Sequence, residues 1–480
     1  MLLLTLVLAP VVAAALAYVI AARLRAVLLL GTAALHTALV SLLWIAPGDR
    51  ALGGWLAEDP LGRIILTLVS VLFLAIAHYA IGYRREEDPR GGRAFVSCLL
   101  GFLGAASLVV LSHHFALMWI GMETMTLVVS PLIFHHDDRR SLEAVWKYLM
   151  LSSVGIAFAL LGVFLLATAQ PHGVAGGRPL VFDDLMANAA ALDPVWLRAA
   201  FVFLLIGFGT KMGLAPLHSW KPDTYGEAPS LVGGLMAGAL TSCAFLGLAR
   251  VSAICFAAGA DDFVRPALIA FGLASLVIAA AFIIGQGDIK RLLAYSSVEH
   301  MGLLVIGLGV GGVGAYGSVL HALNNGLAKG LMFLAVGNVV LVTGTSVADR
   351  IRGLHQRLPI SGTLLIVGLF ALTGSPPFGL FISEFTILRG ILGASHPWIG
   401  AIVIALLAII FVGLAAMILE MVYGNREAAA GRSEHGEERK WLVVAPLALA
   451  AIVLLLGVYI PRPLSMALAA AAATLGGAAP

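Results

Sequence analysis

The chain has 480 residues, of which 60% are hydrophobic and only 11% charged, and a formal net charge of +3. Soluble domains are typically about 45–50% apolar and about 25% charged. A mean hydropathy of +1.00 over the whole chain therefore excludes a water-soluble enzyme and marks a polytopic membrane protein. Cys98, Cys243 and Cys255 lie far apart, with no CxxC, disulfide framework or iron–sulfur spacing. There is no GxGxxG after a strand and no P-loop. No flavin, nicotinamide, cluster, nucleotide or metal is expected to bind, no cofactor is called for, and no nucleic-acid partner is expected.

A membrane helix needs roughly 20 apolar residues. Fourteen such spans follow one another, centred near residues 12, 36, 72, 102, 124, 157, 206, 241, 275, 300, 328, 375, 411 and 450. Residues 2–22 are too long an apolar run for the core of a signal peptide and read as the first span. Period-two alternation is absent, so the fold class is all-α. The longer connections are 169–196, a lateral segment, and the polar loop "NREAAAGRSEHGEERK" (425–440). Loops after odd-numbered spans carry most of the basic residues, among them Arg84, Arg139, Lys221, Lys290, Arg350 and Arg439. Loops after even-numbered spans carry fewer, among them Arg50, Arg63, Arg178 and Arg250. The positive-inside rule puts the odd loops in the cytoplasm and both termini on the outer side.

Several ionisable groups remain inside the spans. Glu123 lies in the fifth, Lys147 at the start of the sixth, Lys211 in the seventh, Glu299 and His300 in the tenth, His321 and Lys329 in the eleventh, and Glu384 in the twelfth. A charge at the bilayer centre costs about 2.5–3.5 kcal/mol on insertion scales, so such groups mark pathways or relays and pair with one another. His321, Asn325 and Lys329 recur every four residues and share one helix face. Lys147 is close enough to a helix end to snorkel. His113 and His114 read as interfacial, and four loop neighbours, His135 to Asp138, are no metal site by themselves.

Two spans are interrupted. "GLAP" (213–216) follows Lys211, and "GSPPFG" (374–379) precedes Glu384; Pro216, Pro376 and Pro377 each remove a helix donor. The breaks fall at equivalent fourth places if spans 4–8 and 9–13 are matching halves. An odd repeat length inverts one half relative to the other, the arrangement that points to a transport site. The chain then divides into an N-terminal three-span segment (1–90), a first half-channel (91–257), a second, inverted one (262–424), and a polar loop with a C-terminal span (425–480).

"GTKMGLAPLHSWKPDTYGEAPS" (209–230), "GDIKRLLAYSSVEHMG" (287–302), "LHALNNGLAKGLMFLAVG" (320–337) and "GSPPFGLFISEFTIL" (374–388) resemble the antiporter-like subunits of respiratory complex I. Those are related to subunits of Mrp-type cation/proton antiporters. "LMWIGMETMTL" (117–127) and "LEAVWKYLMLSSVGIA" (142–157) are most similar to the F-type membrane subunit of hydrogenase-4, of the group 4 NiFe-hydrogenase and formate hydrogenlyase type. The resemblance covers nearly all of residues 60–425. It implies a proton relay in which Glu123 pairs with Lys211, His321 and Lys329 form the centre, and Glu384 faces the outer side. Lys147, Glu299, His300, Ser242 and Asn325 form a second tier of candidates. Two positions depart from the family: Ser242 stands where many members carry an eighth-span lysine, and Asn325 where many carry a histidine. Both can still orient water, but neither carries a proton as a titrating group does, so water or Lys211 itself must bridge the gap there.

The resemblance implies membrane partners and a peripheral oxidoreductase or hydrogenase in a prokaryotic inner membrane, with the redox centres on the partner. An Mrp-type cation/proton antiporter subunit and a structural membrane anchor for a peripheral enzyme are the alternatives; a stand-alone transporter lacks any visible substrate pocket.

Overall fold

In hydrocarbon each backbone N–H and C=O must find its partner within the protein, so long apolar runs fold as helices. In the computed structural model, residues 1–46, 48–87, 92–134, 138–171, 180–394, 397–425 and 438–477 are described, and no strand forms among them. Thirteen helices among them are long and apolar enough to cross a membrane. In order they are span 1 (Leu2–Val19), span 2 (Ala22–Leu43), span 3 (Pro60–Glu87), span 4 (Arg93–Leu111), span 5 (Phe115–Ile133), span 6 (Arg139–Thr168) and span 7a (Pro194–Met212). Span 8 (Ser230–Ala257), span 9 (Asp261–Ile283), span 10 (Ile289–Val310), span 11 (Val313–Thr343), span 13 (Pro397–Tyr423) and span 14 (Lys440–Val458) follow.

The remaining expected span, the twelfth, is two short helices, 12a (Pro359–Leu372, 14 residues) and 12b (Gly379–Gly393, 15 residues). At 1.5 Å per residue neither crosses roughly 30 Å alone. Beyond a non-helical stretch at 213–219, the seventh span continues as 7b (Trp220–Glu227). All fourteen spans thus form where hydropathy places them, with both expected interruptions. Asp138, Asp193 and Asp288 cap the starts of spans 6, 7a and 10 by accepting from backbone N–H groups.

Span 4 packs on 5, 5 on 6 and 6 on 7a; in the same order span 9 packs on 10, 10 on 11, and 11 on both 12a and 12b. Span 8 is innermost, with its whole apolar window buried. A π-helical turn, Met236–Leu240, interrupts it. There Gly238 meets span 11: a Cβ on it would stand 2.9 Å from Gly326 O. Small residues allow such close backbone approach where the hydrophobic effect supplies no drive between helices. One further helix, Arg462–Thr474, packs on spans 3 and 11. Its alanine-rich, proline-flanked sequence reads as a tail rather than as an element.

Two expectations change at one end of the bundle. Arg250 is not in a loop: it lies in span 8, 1% exposed. Its guanidinium donates to Asp59 Oδ1 at 3.0 Å, Ser112 O at 2.8 Å and Val110 O at 3.0 Å. His113, between the end of span 4 and the start of span 5, is not open to the surface. It is buried, 3.5 Å from Asp183 and 4.0 Å from Asp59, because those carboxylates draw it in. This network joins the approach to span 3, the end of span 4, the lateral helix Phe182–Ala187 and span 8. His135, His136 and Asp137 lie outside the described residues, as does most of the 425–440 loop.

Desolvation would by itself raise the Asp59 carboxyl, but Arg250 and His113 outweigh it and hold Asp59 below the usual carboxylate range. The folded value is depressed, so this stabilisation is complete above the unfolded value and is lost as pH falls through the folded one. Removing one partner of a buried pair strands the other. Arg250→Met is expected to cost about 3 kcal/mol, read as a lower thermal unfolding midpoint in detergent. The gap between variant and wild type should narrow below the carboxylate range; a gap unchanged by acid would refute the assignment.

Candidate functional site

The first break turns the middle of a span into a helix end. The last turn of 7a leaves carbonyls without intrahelical donors and carries a negative partial charge. Lys211 sits in that turn, fully buried, and Gly213 closes the helix at φ 73°. Lys211 Nζ donates to Thr126 Oγ1 of span 5 and lies 5.8 Å from the centroid of the Tyr148 ring of span 6. Glu123, one turn before Thr126, is within electrostatic reach of Lys211, yet its Oε1 accepts from Ser153 Oγ at 3.2 Å. Thr126, rather than a carboxylate, takes the lysine's hydrogen bond. The break is held from two sides: Trp220 Nε1 donates to Thr210 O at 2.8 Å, and Ala215 N donates to Ser275 Oγ of span 9 at 2.9 Å.

The second cluster gathers spans 10, 11 and 12b. The His300 and His321 rings share a hydrogen bond, Nδ1 to Nε2, of 3.2 Å, and His321 Nδ1 lies 3.1 Å from Ser383 Oγ. Glu384 Oε1 is 4.0 Å from His300 Nδ1. Its carboxylate folds back over the second break, its carbon Cδ 2.7 Å from where a Cβ on Gly374 would stand. The break is tied to span 11 by Asn324, whose Nδ2 donates to Gly379 O at 2.8 Å. Lys329 is fully buried, donates to Leu293 O at 3.2 Å, and has Glu299 within electrostatic reach. Ser296 Oγ donates to Glu299 at 3.4 Å. Ser242 is spent on its own helix, donating to Gly238 O at 2.6 Å, whereas both carboxamide atoms of Asn325 are buried without a hydrogen-bond partner among the described residues.

Lys147 belongs to neither cluster. It is partly exposed and bridges Glu143 and Asp223, each at 2.8 Å. Arg291 holds the same Asp223 at 2.5 Å. These groups, with Arg140, Glu227 and Asp288, line a polar vestibule of about 310 Å³ between the halves. One ligand-capable atom each from His300, His321 and Glu384 lies within 4.8 Å of the others, close enough to converge on one ion. The charge of Lys329 bears on both imidazoles and opposes a cation there.

The structure thus brings Glu123 near Lys211, and Glu299, His300, His321, Lys329 and Glu384 into one second group, while Lys147 stays at the vestibule. Sequence reasoning missed Thr126, Tyr148 and Ser383. The first repeats at i+3 from Glu123 and the last directly precedes Glu384, so helix-face spacing was the available signal. It also misplaced Lys221, read as a loop residue but fully buried in 7b.

The family model "NADH:quinone oxidoreductase/Mrp antiporter, TM" matches residues 112–411. The chain is 35% identical over 336 residues to a hydrogenase-4 component F homolog of Methylacidiphilum infernorum, covering 70% of each chain. It is 30% identical over 460 residues to NADH-quinone oxidoreductase subunit N of Desulforudis audaxviator, covering 92% of this chain and 88% of the relative. Among solved structures it superposes on a chain of the archaeal membrane-bound sulfane sulfur reductase (TM-score 0.87, 22% identity, 99% and 98% covered), which shows a shared fold. A chain of the Mrp complex from Dietzia sp. DQ12-45-1b matches equally in fold (TM-score 0.87, 18% identity, 99% and 97% covered). An integral membrane protein of many apolar helices, the chain belongs to the NADH:quinone oxidoreductase/Mrp antiporter family of antiporter-like membrane subunits.

Proposed function

We propose that the chain conducts protons within a redox-driven complex of the hydrogenase-4 or NADH:quinone oxidoreductase type. One observation carries the reading: Lys211, Glu299, His300, His321 and Lys329 are buried inside the bundle, and the partly exposed Glu123 and Glu384 stand beside them near its two helix breaks. Isolated charges in hydrocarbon are expensive, and grouped ones are the usual mark of a proton relay.

The repeated packing order supports reading residues 91–257 and 262–424 as two inverted half-channels flanked by 1–90 and 425–480. In the first, Lys211 exchanges a proton with Glu123 through the Thr126 hydroxyl. In the second, Lys329, His321, His300 and Glu384 pass it on, with Glu299 balancing Lys329. Glu384 is the exit group. The vestibule around Lys147 and Asp223 supplies protons from the side of the odd-numbered loops, the cytoplasm of a prokaryotic cell. Energy arrives from a partner with redox centres, docked with other membrane subunits, which shifts the charge balance at the first break. A cation/proton antiport has one observation in its favour, the convergence of His300, His321 and Glu384; a requirement for sodium in transport separates it from the proton reading.

Lys211→Ala, Glu123→Ala and Glu384→Ala, each in the full complex in proteoliposomes, are expected to retain electron transfer and to lose proton pumping by roughly tenfold or more. Intact pumping in all three would leave a structural anchor as the role. Orientation is checked separately. In a background lacking Cys98, Cys243 and Cys255, Asp184→Cys should react with an impermeant thiol reagent from outside intact cells, and Gln286→Cys only after permeabilisation. The reverse pattern would overturn the placement of both termini on the outer side.

A further inference from the structure

Between the two clusters lies a buried amine that neither uses. Lys221 is fully buried on the second residue of 7b. Its Nζ has no hydrogen-bond partner among the described residues. It stands at a helix N-terminus, the end whose dipole favours anions, so its own helix does not stabilise an ammonium. The Tyr225 ring lies 5.9 Å away, a weak cation–π contact. A lysine kept for packing alone would turn its head to the vestibule, which Asp223, two residues on, already lines. Lys221 turns instead over the first break: a Cβ on Gly213, two residues from Lys211, would stand 2.5 Å from its Cε and 3.0 Å from its Nζ. In the other direction it is within electrostatic reach of both His300 and Lys329.

We propose that Lys221 is the proton carrier joining the first break to the Lys329 cluster, across the stretch where Ser242 and Asn325 offer no titrating group. The inference rests on the proton-conducting reading above. An N–H bond of the Lys211 ammonium breaks as one forms to the lone pair of neutral Lys221. The same proton then leaves Lys221 for neutral Lys329. One unit of charge moves at each hop, no electrons are exchanged, and each amine is restored once the proton has gone. Like charges within reach disfavour each other, so a proton arriving on Lys221 promotes departure of one already held by Lys329.

The test uses the assembled complex in proteoliposomes, with electron transfer reporting assembly and the pH gradient reporting pumping. Lys221→Met keeps the length and removes the amine. Lys221→Arg keeps the charge, but a guanidinium does not release its proton. Both are expected to retain electron transfer and to lose pumping by roughly tenfold or more. Normal pumping in Lys221→Met overturns the inference. So does normal pumping in Lys221→Arg, which would assign the residue a fixed-charge role; this variant carries the test alone if the methionine variant does not assemble. Lys211→Ala measured alongside separates the two levels. Pumping lost there but normal in both Lys221 variants removes the bridge alone. Normal pumping in Lys211→Ala overturns the bridge by removing its donor, and normal pumping in Glu123→Ala and Glu384→Ala as well removes the proton-conducting reading with it.

Discussion

A helix that stops inside the bundle leaves carbonyls with no intrahelical donor, and that deficit is what makes room for a charge. At the first break the stranded end of 7a carries Lys211 in its last turn, so the helix dipole and the Thr126 hydroxyl together offset the desolvation of an ammonium. At the second, Glu384 folds back from 12b toward Gly374, just past the C-terminal end of 12a, and its Oε1 is buried with no hydrogen-bond partner among the described residues. A charged group therefore stands at each break, but only at the first does the helix end itself offset the charge. Without the first break, Lys211 would lose the helix-end carbonyls that offset an insertion penalty of about 2.5–3.5 kcal/mol.

Neither break is slack. The first is pinned to the end of 7a by Trp220 and to span 9 by Ser275, and the second to span 11 by Asn324. Span 9 belongs to the second half of the bundle, so a displacement at the first break cannot stay in the first half. Span 11 runs the other way, carrying His321 and Lys329 while it touches span 8 through Gly238 and Gly326. Glycines at that crossing keep the two helices close enough for a small shift of one to be felt by the other.

Segment-level properties were legible in the sequence. Length and hydropathy place all fourteen spans, and proline with glycine marks both interruptions, because these depend on composition within one segment. Depth within a span made Glu123, Lys211, Lys329 and Glu384 stand out for the same reason. What escaped depends on distant contacts. Arg250 and Asp59 are 191 residues apart, and nothing local tells an arginine near a span end whether it meets solvent or a buried carboxylate. His113 is hidden for the same cause. Lys221 was lost differently: "SWKPD" reads as a polar turn, and only the direction that 7b takes after the break carries it inward. The π turn before Ser242 has no local signature, since none of Met236–Leu240 is proline or charged.

The order of charges along the interior is itself informative. Carboxylates stand toward the two ends, Glu123 beside the first break and Glu384 beside the second, with Lys211, Lys221 and Lys329 between them and Glu299 against the last. If every amine were protonated, three ammonium groups would face two flanking carboxylates and Glu299, with Lys221 the one lacking an anion or hydroxyl of its own. That is the state the low-dielectric interior tolerates least. Leaving one amine neutral relieves the repulsion and creates an acceptor for a neighbour's proton. Which amine is neutral then sets the position of the mobile charge. In the proposed relay, altering the balance at Lys211 would move that position toward Glu384, without any group having to travel between the breaks.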